Sequence, residues 1–122
     1  MLNDIKNDEL LLRAVYPAGK KPNYWENGHL SSAALKDSNG LSVERTANRS
    51  MEESVCFMLD HLTGCVISFS VEACNKVYAI VRYLPSNDNA YHCEVHGSDI
   101  QKVLSEVQAY KLSRAAKIEH MP

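Results

Sequence analysis

The sequence predicts an α+β domain, a small and mostly antiparallel sheet packed against two or three helices. Three observations predict it. Two capping boxes, Ser50-Met51-Glu52-Glu53 and Ser98-Asp99-Ile100-Gln101, each stand ahead of apolar residues at helical spacing. Short runs rich in β-formers, at residues 41–45, 65–71, 77–84 and 91–96, are bounded by turn chemistry. The order of elements is helix, loop, short strands, helix, strands and helix, which is segregated rather than alternating. A chain of 122 residues is one domain, 1–122, by length, and large enough to bury a core without metal or disulfide support.

Taken in order, Asn7 or Asp8 caps a first helix that carries Leu10, Leu11, Ala14 and Val15, and Pro17 with Gly19 ends it. Residues 16–29 hold Pro17, Gly19, Pro22 and Gly28, a breaker density that predicts an irregular loop anchored by Tyr24 and Trp25. Residues 30–36 fit either a strand or a helical turn, because their small side chains suit both periods. Asp37-Ser38-Asn39-Gly40 is a turn, and the alternation of Leu41-Ser42-Val43-Glu44-Arg45 predicts a strand with Leu41 and Val43 inward. After Ser50 a helix carries Val55, Met58, Leu59 and Leu62, and Gly64 ends it. Residues 65–71 and 77–84 are strands joined by 72–75, the second stopped by Pro85. The turn at 86–89 leads into the strand Tyr91-His92-Cys93-Glu94-Val95-His96, closed by Gly97. A last helix opens at Ser98 with Ile100, Val103, Leu104 and Val107 on its buried side, and the tail frays after Ile118.

Composition narrows the function classes. With 45% hydrophobic and 23% charged residues the chain is far from the disordered and membrane classes. A formal charge of −2 excludes a broad electrostatic footprint for nucleic acid. No apolar run approaches a membrane span, and the first residues lack the basic and apolar regions of a signal peptide, so a cytoplasmic protein is expected. Cys56, Cys65, Cys74 and Cys93 include no Cys-x-x-Cys pair, so reduced thiols are expected in place of a zinc site.

The most informative segment is residues 91–97. Strand alternation sets His92, Glu94 and His96 on one face and Tyr91, Cys93 and Val95 on the other. At about 3.3 Å per residue, the Cα atoms of His92 and His96 lie roughly 13 Å apart, too far to share one ion comfortably. A pair such as His92 with Glu94 lacks a third and fourth ligand, His29 and His61 being the only further histidines with any claim, so no metal and no cofactor is expected. His92 is the better candidate for acid, base or hydrogen-bond work, with Glu94 as its orienting neighbour and His96 as a solvent-exposed strand end. Arg45 is the natural partner for an anion, since guanidinium binds phosphate or carboxylate bidentately, although a bridge to Glu44 or Glu94 serves structure equally well. Ser31 and Ser32 are candidate ligand contacts. No Gly-x-Ser-x-Gly elbow accompanies them, which argues against a serine hydrolase.

Three stretches, Leu30-Ser31-Ser32-Ala33-Ala34-Leu35-Lys36-Asp37, Leu41-Ser42-Val43-Glu44-Arg45 and Asn89-Ala90-Tyr91-His92-Cys93-Glu94-Val95-His96-Gly97, together carry a resemblance. Over most of its length the chain resembles a family of small uncharacterised bacterial proteins with Ser-Ser-x-Ala-Phe, Leu-Ser-Val-x-Arg and His-Ala-x-Ile motifs in this order. It departs at Leu35, where an aromatic is usual, and at Cys93, where Ala is. The resemblance singles out Ser32, Arg45 and His92 and implies no reaction. The expectation is therefore a small cytoplasmic bacterial binding or accessory protein whose polar pocket, from Ser32, Arg45, His92 and Glu94, takes a small anionic ligand or a protein partner. The rival is a metal-independent enzyme on a phosphate-containing nucleotide or RNA substrate, with His92 as acid or base and Arg45 stabilising charge. A homo-oligomer built through Tyr24 and Trp25 is a third expectation.

Overall fold

Leu10–Val15, expected as a helix, is the strand β1, and it lies inside a six-stranded antiparallel sheet. The computed structural model describes residues 2–62 and 64–122. The run Leu10-Leu11-Leu12 is apolar on consecutive positions because β1 is buried on both faces, and a strand so placed loses the alternation that would distinguish it from a helix.

The remaining elements are β2 (Trp25–Glu26), β3 (His29–Leu30), β4 (Leu41–Arg45), α1 (Met51–His61), β5 (Cys65–Ser70), α2 (Val71–Lys76), β6 (Ile80–Tyr83), β7 (His92–His96), α3 (Glu106–Ala115) and β8 (Lys117–His120). The sheet order is β6-β7-β4-β1-β5-β8, with every pairing antiparallel, and β2 and β3 form a separate two-stranded hairpin. The α+β class stands, with this sheet and three α-helices.

The Ser50 capping box forms as expected: Ser50 Oγ accepts from the Glu53 amide and Glu53 accepts from the Ser50 amide. The second box sits elsewhere. Ser98 Oγ accepts from the amides of Ile100 and Gln101 in a local turn, and Ile100 is 92% exposed. The true cap is Ser105, whose box partner is Gln108, so α3 starts seven residues late and buries Ala109 and Leu112. Turn and helix start share the Ser-x-x-Gln pattern, and only burial separates them. The link at 72–75 is helical, as part of α2, capped by Ser70. The tail expected to fray after Ile118 instead continues to His120 in the edge strand Lys117–His120, paired with β5. The segment 30–36 contains a 3-10 turn over Ser32–Leu35.

The sheet has two unequal sides. On one, Leu11, Val15, Leu41, Val43, Ile67, Phe69, Cys93 and Val95 meet α2, α3 and the 3-10 turn in the main core. On the other, Leu12 and Val66 meet Met58 and its neighbours on α1. That helix covers β1 and reaches β4, and it leaves β7 and β6 bare on its side. The bare half carries polar side chains from β4, β7 and β6, because their apolar partners alternate into the main core.

Candidate functional site

His92, Glu94 and His96 do share the bare face, opposite the buried Cys93 and Val95. They form one hydrogen-bonded line. Arg82, across the β6–β7 pairing, donates its Nε–H to His96 Nδ1 at 3.2 Å. A guanidinium only donates, so His96 Nδ1 accepts and its proton sits on Nε2. That Nε2–H is 2.8 Å from Glu94 Oε1, while Glu94 Oε2 is 3.4 Å from His92 Nε2. The hydrogen bond from His96 is the main cause holding the Glu94 carboxyl below the usual carboxylate range. Arg82 is anchored at its far end on Asp99 at 3.2 Å.

His96 was expected to be solvent-exposed, and it is only 6% exposed. The turn Asp37–Gly40 explains this. Gly40, at φ +95°, packs so closely that a Cβ there would lie 2.7 Å from Glu94 Oε1 and 2.9 Å from His96 Nε2. Its missing side chain lets the turn cover the His96–Glu94 bond.

Beside His92 lies a cavity of about 440 Å³ between α1 and the sheet. Its polar lining comes from Arg13, Tyr16, Ser42, Glu44, His61, Asn89 and His92, with the Glu44 carboxylate paired to Arg49, and Met58 and Leu62 supply apolar wall. The cavity exists because β1 and β4 part company. They pair only at Leu11↔Arg45 and Leu12↔Glu44, after which residues 13–15 have no ladder to residues 41–43. Arg13 bridges the opening by donating from Nη1 to the Ser42 carbonyl at 3.0 Å.

Arg13 is poorly compensated. Its ion pair with Asp37 is long, 4.0 Å, and its Nε–H is buried without a partner. Burial pushes its pKa down from the ordinary arginine value, against the pull of Asp37, yet the guanidinium remains a cation. Arg13 borders this cavity and also a second recess lined by Tyr24, Ala34 and Asp37, so its partly desolvated charge sits at the gap between the parted strands.

The structure does not bring Ser32, Arg45 and His92 to one concave surface. Arg45 lies on the opposite face from His92, fully buried, with Nε and Nη2 on the two carboxylate oxygens of Glu9 at 2.8 Å each and its guanidinium 4.6 Å from the Tyr83 ring centroid. Neither Glu44 nor Glu94 is its partner: Glu44 takes Arg49 at 3.0 Å. Ser32 donates to Glu106 at the start of α3, 2.7 Å away, and lines a small recess there. Ser31 donates to the Asn23 carbonyl. Tyr24 and Trp25 pack against the main core of their own chain, and Trp25 Nε1 donates to the Tyr16 carbonyl at 2.8 Å.

Sequence reasoning missed Arg13, because residues 10–15 read as a helix and its charge then falls on a surface. A single Arg inside an apolar run on a buried strand was the available signal. Among the described residues, no group of three or more His, Cys, Asp or Glu is placed to hold a metal ion, and no helix is long and apolar enough to cross a membrane. Set against family models, curated proteins and solved structures, the chain matches none of them.

Proposed function

We propose that this is a small binding or accessory protein that takes a small anionic ligand, bearing phosphate or carboxylate, in the cavity between α1 and the parted strands β1 and β4. The observation that carries the reading is Arg13, a partly buried and under-compensated side chain that lines the same cavity as His92. Arg13 takes the role first given to Arg45, whose charge Glu9 already neutralises. His92, oriented by Glu94, supplies a second polar contact. The apolar wall of Met58 and Leu62 covers the non-ionic part of the ligand. A reducing, cytoplasmic setting belongs to the proposal, supported by three free thiols buried in the core.

Isothermal titration with inorganic phosphate and with a nucleoside 5′-monophosphate tests it. Binding that weakens at least about tenfold in Arg13→Met, and also in His92→Gln, is expected, since one charge-assisted hydrogen bond contributes about 1.5–3 kcal/mol. A thermal melt of each variant checks its fold. Equal affinity of wild type and a folded Arg13→Met, or no anion binding by wild type, refutes the assignment.

A further inference from the structure

Resting on the anion-binding reading, we propose that the same cavity cleaves short ribonucleotide phosphodiesters by general acid–base catalysis, with His92 as base, His61 as acid and Arg13 on the phosphoryl oxygens.

The direction of the hydrogen bonds assigns His92 its role. Arg82 fixes the His96 tautomer, His96 donates to Glu94, and Glu94 therefore accepts at both oxygens. His92 consequently turns its Nε2–H toward Glu94 and keeps Nδ1 as a free lone pair. A carboxylate holding one imidazole nitrogen so that the other can take a proton is the standard construction of a histidine base. Glu94 and His96 touch no substrate in this scheme and are positioning residues.

His61, the last residue of α1, has the complementary arrangement. Its Nδ1 lies 2.9 Å from the Phe57 carbonyl, which can only accept, so Nδ1 carries a proton and Nε2 is the site of exchange. The Phe57 ring packs against the imidazole in a tilted contact, 4.4 Å between centroids and 33° between planes. His61 and His92 line one cavity, so an acid and a base border a common volume, and Arg13 lines it at the gap between β1 and β4.

The substrate class follows from what His92 lacks. Among the described residues, no protein hydroxyl or thiol is hydrogen-bonded to it, its one side-chain partner being Glu94. The nucleophile must then arrive with the substrate. A ribose 2′-hydroxyl sits next to its own phosphodiester, and an internal nucleophile of this kind has a very high effective concentration. The half-exposed Tyr16 ring at the rim offers a face for a base. A cavity of about 440 Å³ and a net charge of −2 suit one linkage at a time, not a long strand.

The step balances without a co-reactant. His92 Nδ1 takes the 2′-hydroxyl proton as O2′ bonds to phosphorus, the P–O5′ bond breaks, and O5′ leaves with the proton from His61 Nε2. The products are a 2′,3′-cyclic phosphate and a 5′-hydroxyl. His92 then releases its proton to water and His61 regains one.

The test uses the full chain, a ribodinucleoside monophosphate and its 2′-deoxy analogue, in EDTA, with products read by mass spectrometry. The expected result is a cyclic phosphate from the ribo form and none from the deoxy form. His92→Gln and His61→Gln should each lower kcat by about 100-fold or more, and Glu94→Gln should lower kcat with KM unchanged. No cyclic product from wild type, or an undiminished rate in His92→Gln, overturns the proposal. Calorimetry with the deoxy analogue separates the two readings. Arg13-dependent binding without cleavage of the ribo form overturns catalysis and leaves anion binding intact, and no binding of either form overturns both.

Discussion

Replacing Glu9 with Ala should destabilise the fold severely, although Glu9 lies in neither the cavity nor the relay. Glu9 holds a guanidinium with no exposure at all, through two hydrogen bonds of 2.8 Å. The other contacts of Arg45 are the Asn3 carbonyl, which carries no formal charge, and the Tyr83 ring. Removing Glu9 strands a buried cation, and breaking such a pair from one side costs about 3–5 kcal/mol. For a chain of this length the unfolding entropy is about 0.26 kcal/mol/K, from roughly 2.1 cal/mol/K per residue, so the melting temperature should fall by about 12–19 °C. Urea unfolding of Glu9→Ala measures the loss directly. The double variant Glu9→Leu, Arg45→Met should recover most of it, because the penalty lies in the uncompensated charge. A loss under about 1 kcal/mol, or a double variant worse than either single one, would refute the view that Arg45 is a structural residue neutralised by Glu9.

Gly40→Ala should cost about 1–3 kcal/mol in urea unfolding, because φ is +95° and the new Cβ would press on the His96–Glu94 hydrogen bond; loss of the His96 Nε2 proton resonance should accompany it. Cys56 should alkylate quickly at pH 8 while Cys74 and Cys93 stay intact, as read by mass spectrometry, since burial pushes both of those thiols up to about 12 and Cys56 is exposed. Glu94 has a folded pKa below its ordinary value, so its contribution to stability is complete above the ordinary carboxylate range and is lost as pH falls through the lowered folded value. Acid titration of Glu94→Gln should therefore show a shallower decline in stability over that window than wild type.

Local chemistry made parts of this fold legible. The alternation at 41–45 and 92–96 can be read from spacing alone, and the Ser50 box is satisfied within three residues. Residues 10–15 and 98–105 failed for one shared reason: their patterns are degenerate until burial is known. A central strand hides its period by burying both faces, and a serine turn imitates a cap until the helix behind it proves exposed. The edge strand β8 depends on pairing with β5 about fifty residues earlier, which no local pattern encodes.

The site divides along the same line. That His92 and Glu94 share a face is a property of spacing, and so it could be read. Which arginine keeps its charge available is a property of the whole fold. Arg45 and Arg13 stand on neighbouring strands, Arg13 between Leu12 and Ala14 and Arg45 between Glu44 and Thr46, and those neighbours do not show which charge is neutralised. What separates them is where their carboxylates fall: Glu9, thirty-six residues from Arg45, closes on it bidentately, whereas Asp37 lies 4.0 Å from Arg13. The turn that packs Gly40 against Glu94 and His96 also carries Asp37, so one four-residue element touches both the hydrogen-bonded line behind His92 and Arg13.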